Sequence, residues 1–187
     1  MIDLEKLYKI QHNLRCLHTD KDVQAALDIM ADDITEVLQQ TNPIVLTVLT
    51  GSIIPVGQLV TRLTFPLQID YLHVTRYQGK MHASQLHWIA EPRLSLKNRT
   101  VLIVEDVLDQ GTTLAEVVKF CEAMGAAKVY TAVIVDKQTQ RAVGGVQRAD
   151  FTALQVEDLF LLGFGMDYEG YFRNLPGIYA VTEQIDE

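Results

Sequence analysis

Residues 101–114 read VLIVEDVLDQGTTL: a short apolar run, two adjacent acids, a third acid, a glycine and two threonines. Residues 101–104 are apolar on both faces, as expected for a strand buried inside a parallel sheet. Beyond Gly111, the residues Leu114, Val117, Val118 and Cys121 follow i, i+3, i+4, i+7 spacing, which predicts a helix from Thr113. A buried strand, an acidic glycine-containing turn and an amphipathic helix make one unit of an α/β fold, in which ligands gather at the carboxyl ends of the strands. Glu105, Asp106 and Asp109 fall at that end. Ionised carboxylates only accept hydrogen bonds, so they suit sugar hydroxyls or a divalent metal. Gln110, Gly111, Thr112 and Thr113 add backbone amides, hydroxyls and a helix N-terminus, a combination suited to phosphate. The local alternative makes Asp109 and Thr113 helix caps and the acid pair solvated loop residues.

Working outward, the same alternation continues. Residues 44–49, IVLTVL, predict a second buried strand after Asn42-Pro43, with Thr50, Gly51 and Ser52 as its turn and a helix through Val56, Leu59, Val60 and Leu63. A strand is expected near residues 67–74, and another in VYTAVIV from Val129, with Lys137 following at its carboxyl end. Shorter strands are expected at 151–156, 159–162 and 178–181. At the other end of the chain, Leu4, Leu7, Tyr8 and Ile10, and then Val23, Leu27, Met30, Ile34, Val37 and Leu38, predict two helices that cover the core. Residues 75–98 are more polar, carry Gly79 and Pro92, and predict a long excursion or hairpin of the kind that serves as a lid. No repeat or linker divides the chain, so a single domain over 1–187 is expected.

A composition of 187 residues, 48% apolar and 21% charged, is that of a globular protein with a sizeable core. The net charge of -8 disfavours nucleic acid and anionic membranes as partners. Cys16 and Cys121 lack the spacing of a zinc or redox site, and so do His82 and His87. The acidic N-terminus and the absence of a long apolar run place the protein in the cytoplasm. Walker-A spacing is absent, and Gly163 to Gly165 lacks the third glycine of a dinucleotide fingerprint.

The order of strand, acid pair, third acid, glycine and hydroxyls resembles the ribose-phosphate signature of type I phosphoribosyltransferases, and especially their hypoxanthine-guanine branch. The resemblance implies an α/β fold, a mainly parallel sheet flanked by helices with a small hood, the hood drawn from residues 75–98 and 150–187. It implies that Glu105 and Asp106 hold the ribose hydroxyls, that Asp109 is the general base, and that Gln110, Gly111, Thr112 and Thr113 wrap the 5′-phosphate. The commonest form of the signature has Thr where this chain has Gln110. Leu49-Thr50-Gly51-Ser52 matches the pyrophosphate-binding loop, in which a cis peptide precedes the second position; many members carry Lys or Arg where this chain has Thr50.

Lys137 matches the lysine that donates to the purine 6-oxo group. The segment LFLLGFGMDYEGYFRNLPGI, from Leu159, is similar to the branch that uses oxopurines. By that similarity Phe160 stacks on the base and Leu161 lines its pocket, although composition alone would put both in the core. Asp167 closes the base pocket and reaches the pyrophosphate through a metal, and Arg173 meets the pyrophosphate directly. Arg76-Tyr77 stands in the hood where many relatives have Ser-Tyr. The implied cofactor is magnesium, held by Glu105, Asp106 and Asp167; the implied substrates are phosphoribosyl pyrophosphate and hypoxanthine or guanine; and the implied assembly is a homodimer or homotetramer. A sensor of phosphoribosyl pyrophosphate without catalysis, and a xanthine-preferring transferase, are the alternatives.

Overall fold

A computed structural model describes residues 3–76 and 86–181. Two helices, α1 (Leu4–His12) and α2 (Asp20–Leu38), open the chain, with the short strand β1 (Leu14–His18) between them. A capping box starts α2: the Thr19 hydroxyl accepts from the Asp22 amide while the Asp22 carboxylate accepts from the Thr19 amide at 2.8 Å. There follow β2 (Ile44–Leu49), α3 (Ile53–Leu59), β3 (Gln68–Arg76), β4 (Leu86–Ala90), β5 (Thr100–Leu108), α4 (Thr112–Ala123), β6 (Lys128–Gln138), β7 (Phe151–Glu157), β8 (Leu161–Leu162) and β9 (Ile178–Val181).

Six strands form one sheet in the order β4-β3-β2-β5-β6-β7, parallel throughout except for β4. Alternate residues of β5 enter opposite cores. Leu102 and Val104 join Leu27, Ile34 and Leu59 on the side of α2 and α3, while Val101 and Ile103 join Leu114, Val117 and Cys121 on the side of α4. Both faces are therefore covered, which is why the strands read as continuous apolar runs. From β2 the chain goes out to β3 on one side and later returns to β5 on the other. The switch point thus lies between β2 and β5, where the turn at residues 50–52 faces the last part of β5 and the loop at 109–111 that follows it.

A second, three-stranded antiparallel sheet has the order β1-β9-β8. β1 was not expected from the sequence, because its five half-exposed residues show no clean alternation and its partner, β9, comes from the opposite end of the chain. Of the segments assigned to the hood, residues 151–157 form β7 and extend the large sheet, while 161–162 and 178–181 enter the small one. The excursion from Thr75 is not uniform either. The Asp70 carboxylate accepts the amides of Arg93 and Leu94, both at 2.7 Å, and Leu96 is buried in the core, so the return arm is tied down. Trp88 packs on Phe120 of α4 with ring centroids 4.3 Å apart. Tyr77, with Lys80 and His82, lies outside the described residues, and Arg76 is placed only as the last residue of β3.

Candidate active site

Neighbouring residues of a strand project to opposite sides, and the acid pair at the end of β5 divides accordingly. Glu105 lines a small cavity of about 140 Å³ together with Asp109, Gln110, Gly111 and Thr113, and the N-terminus of α4 forms one wall. The N-cap is Gly111, which has no side chain to cap the helix.

Asp106 turns toward the loop after β2. Its Oδ1 accepts from the Val107 amide at 2.9 Å, and its Oδ2 lies so close to Gly51 that a Cβ there would collide with it. Burial pushes the Asp106 carboxyl above the usual carboxylate range, Asp167 adds to the rise, and the Val107 amide and the Arg173 guanidinium oppose it. The peptide between Leu49 and Thr50 is cis. Ser52 is buried, and its hydroxyl has no hydrogen-bond partner among the described residues. The segment after β8 closes over this corner: Gly165 packs on the Gly51 carbonyl, Arg173 donates from Nη1 to the Gly165 carbonyl at 2.5 Å, and its Nη2 pairs with Asp167 at 2.7 Å.

The third strand end, that of β6, brings Lys137 to Asp109. The ammonium lies 3.4 Å from Asp109 Oδ2 and 2.7 Å from Asp158 Oδ1, and its side chain is only 12% exposed. Asp158 also accepts from the Thr139 hydroxyl at 2.7 Å, and these two donors hold its carboxyl below the usual range. Held mostly buried between two carboxylates, the Lys137 ammonium is placed to donate a hydrogen bond to a carbonyl oxygen. At the fourth strand end, beyond β7, Phe160 is 52% exposed with Tyr168 edge-on at 6.1 Å, whereas Leu161 is buried. Composition put both in the core, which holds for Leu161 only; the exposed Phe160 ring is free to serve as a platform for a flat ring.

The structure thus gathers the expected residues into two groups. Thr50, Gly51, Asp106, Asp167 and Arg173 meet on one side, and Asp109 and Lys137, with Phe160 beyond them, on the other. Sequence reasoning missed Asp158 and Arg141. Each is a charged loop residue that reads as a solvated one, and the only local signal was position: Asp158 stands two residues before Phe160, and Arg141 four after Lys137. Cys121 is buried and its thiol is pushed up to about 12, an inert packing residue.

Among the described residues no three His, Cys, Asp or Glu converge as a ready-made metal cage, and no helix is long and apolar enough to cross a membrane. Magnesium is commonly held by one or two carboxylates plus the phosphates of a substrate. The oxygen donors of Asp106 and Asp167, which lie on one side, fit an ion that arrives with a diphosphate, whereas Glu105 faces the other side of the strand and does not join them.

Comparison with known proteins agrees with this geometry. Residues 17–169 match the family model of the phosphoribosyl transferase domain. The hypoxanthine-guanine-xanthine phosphoribosyltransferase of Tritrichomonas foetus is 28% identical over 171 residues, 91% of this chain and 93% of its own. The hypoxanthine-guanine phosphoribosyltransferase of Bacillus subtilis (strain 168) is 27% identical over 180 residues, 95% of this chain and 99% of its own. In three dimensions, a hypoxanthine phosphoribosyltransferase from Staphylococcus aureus superposes with a TM-score of 0.88 at 25% identity, covering 96% of this chain and 97% of that one.

Proposed function

The chain belongs to the phosphoribosyl transferase domain family, and within it we propose that this protein transfers the 5-phosphoribosyl group of phosphoribosyl pyrophosphate to hypoxanthine and guanine, releasing pyrophosphate and forming IMP and GMP in purine salvage. The observation that carries the choice of acceptor is the Lys137 ammonium, held mostly buried beside Asp109 at adjoining strand ends. A buried ammonium can donate to the 6-oxo group of an oxopurine. The 6-amino group of adenine is itself a donor and would face the ammonium with no acceptor to offer, a mismatch of about 1–3 kcal/mol or more.

In this reading purine N9 attacks C1 of the ribose as the bond from C1 to the pyrophosphate oxygen breaks, and Asp109 takes the proton released by the base. Glu105 and Asp106 accept from the ribose hydroxyls. Gln110, Gly111, Thr112 and Thr113 hold the 5′-phosphate at the start of α4. Thr50, Gly51 and Arg173 face the pyrophosphate, and Phe160 and Leu161 hold the base. Bound magnesium, with Asp106 and Asp167 as its protein ligands, would neutralise the leaving pyrophosphate. The hood, including Arg76 and Tyr77, excludes water from the cationic sugar. The protein works in the cytoplasm as a homodimer or homotetramer.

The test is direct: purified protein, magnesium and phosphoribosyl pyrophosphate are mixed with each of hypoxanthine, guanine, xanthine and adenine, and nucleotide formation is followed by absorbance. Turnover is expected with the first two and not with adenine. Faster turnover with xanthine would move the assignment to a xanthine-preferring transferase, a substrate that the name of the Tritrichomonas relative includes. Binding of phosphoribosyl pyrophosphate without turnover on any base would mean a sensor and not an enzyme. In an active protein, Asp109→Asn should lower kcat about 10²–10⁴-fold, the usual contribution of a general base. Its affinity for phosphoribosyl pyrophosphate should change only a few-fold, and equal losses in both would exclude Asp109 as the base.

A further inference from the structure

Three residues beyond the end of β6, the Arg141 side chain turns back beneath the site and is only 9% exposed. Its Nη1 donates to the carbonyls of Lys137 at 2.8 Å, Asp109 at 2.5 Å and Leu108 at 3.3 Å. Its Nη2 donates to the Asp136 carboxylate. A buried arginine needs a counter-charge, and Asp136 supplies it. Nε is directed at the Gln147 carbonyl at 3.5 Å, and Nη1 goes to backbone oxygens on two different strand ends, which charge compensation does not require. Two of those oxygens belong to the residues assigned above to proton removal and base reading.

The loop that carries Arg141 grips the phosphate loop at two more points. The Ala142 amide donates to the Gln110 carbonyl and the Val146 amide to the Gly111 carbonyl, each at 3.0 Å. Gly111 has φ +75, and a Cβ there would run into the Val146 carbonyl, so the two loops are in backbone contact. Neither loop can shift without the other or without breaking these bonds.

We propose that Arg141 is a positioning residue that fixes the Asp109 backbone relative to that of Lys137, and so registers the ribose-phosphate loop against the base-reading lysine. Arg141 touches no reacting atom. The proposal rests on the transferase reading for its kinetic consequences but not for its structural one. Lysine can replace the charge of Arg141 opposite Asp136, but a single compact ammonium on a shorter reach cannot serve that carboxylate and the carbonyls of both strand ends at once, as the two terminal nitrogens of the guanidinium do.

Arg141→Lys should therefore stay folded and, per folded molecule, lose about 10–100-fold in kcat/KM for hypoxanthine, the range typical of residues that orient catalytic or ligand-binding groups. The loss should fall on kcat and on the KM for hypoxanthine, with a smaller change in the KM for phosphoribosyl pyrophosphate. A lower melting temperature with all three constants intact per folded molecule would reduce Arg141 to a stability residue and overturn the proposal. Combining Arg141→Lys with Asp109→Asn gives a second readout: the Asn substitution should cost less in the Lys background than in the parent, and full additivity would overturn the link to Asp109.

Amide hydrogen exchange separates this inference from the transferase reading. Whether or not the parent turns over any base, Arg141→Lys should accelerate exchange in segments 108–111 and 137–146 together, and acceleration confined to one segment would contradict a shared brace. If that variant does not accumulate, Asp136→Asn, which weakens the hold on Nη2 and leaves every carbonyl in place, should shift the same two segments in the same direction; unchanged exchange there would equally overturn the proposal.

Discussion

On the side of the cleft where Gly51, Asp106 and Gly165 meet, backbone and carboxylate pack so closely that neither glycine has room for a Cβ. On the side where Asp109, Lys137, Asp158 and Arg141 meet, the groups are held by charge and hydrogen bonds, and Asp109 and Asp158 keep half of their surface in solvent. The first arrangement suits a polyanion that backbone must approach at hydrogen-bond distance. The second suits a neutral ring whose protons and carbonyl must be met by groups of the right charge. If this contrast is sound, added bulk should damage the first side and lost charge the second.

The harshest test is Gly51→Ala. The new methyl group must displace the Asp106 carboxylate, so kcat/KM should fall by about 10²-fold or more, as displacements near 1 Å do in preorganised sites. The KM for phosphoribosyl pyrophosphate should rise while residual selectivity for hypoxanthine over adenine is kept. A fall in that selectivity would mean that the two sides are not separate.

Asp158→Asn is the corresponding test of the charged side. Asparagine keeps the shape and one acceptor but removes the charge that holds Lys137 at 2.7 Å, leaving the ammonium to lean toward Asp109. We expect kcat/KM for hypoxanthine to fall about tenfold, within the usual range for residues that orient a functional group, with the KM for phosphoribosyl pyrophosphate unchanged. A gain in activity would show that Asp158 competes with the base for Lys137.

These two sides were unequally legible. The strand, acids and helix at 101–114 are local in sequence, and their periodicity depends only on near neighbours, so their placement could be read directly. The partners Asp158 and Arg141 are selected by contacts across strand ends that periodicity does not encode. The same holds for β1, whose pairing with β9 spans most of the chain, and for Phe160, whose apolar side chain gave no sign that it would be left exposed. The crowding at Gly51 was foreseen as a sharp turn, but the atom that it accommodates, on Asp106, was not.

Asp106→Asn separates stability from function on the crowded side. Because burial raises the Asp106 pKa, the protonated form is favoured in the folded protein. That contribution is fully present below the unfolded value and is lost as pH rises through the folded value. Above the folded value the ionised carboxylate therefore opposes folding, and an uncharged asparagine, still able to accept from the Val107 amide, should there raise the melting temperature by about 2–4 °C, equivalent to ~1 kcal/mol for a chain of this length. The gain should shrink as pH falls through the folded value, where the native carboxyl also becomes neutral, while activity falls at every pH. A lower melting temperature across the whole pH range would mean that the nearby Arg173 outweighs the burial.

Gln110→Thr should have the smallest effect, although it alters the one position where the phosphate loop departs from the commonest form of its signature. Gln110 is exposed, and its carbonyl is occupied by the Ala142 amide. The geometry of the loop is set by the Gly111 backbone and by the contacts to residues 142–146, none of which involves the Gln110 side chain. The phosphate is met chiefly by backbone and by the start of α4, contacts that survive the change. The KM for phosphoribosyl pyrophosphate should then move by no more than about threefold, below ~1 kcal/mol and within the range of a single exposed hydrogen bond, with kcat unchanged. A tenfold change would instead assign the Gln110 side chain to the phosphate, and the phosphate loop would then depend on a flexible polar group as well as on its backbone.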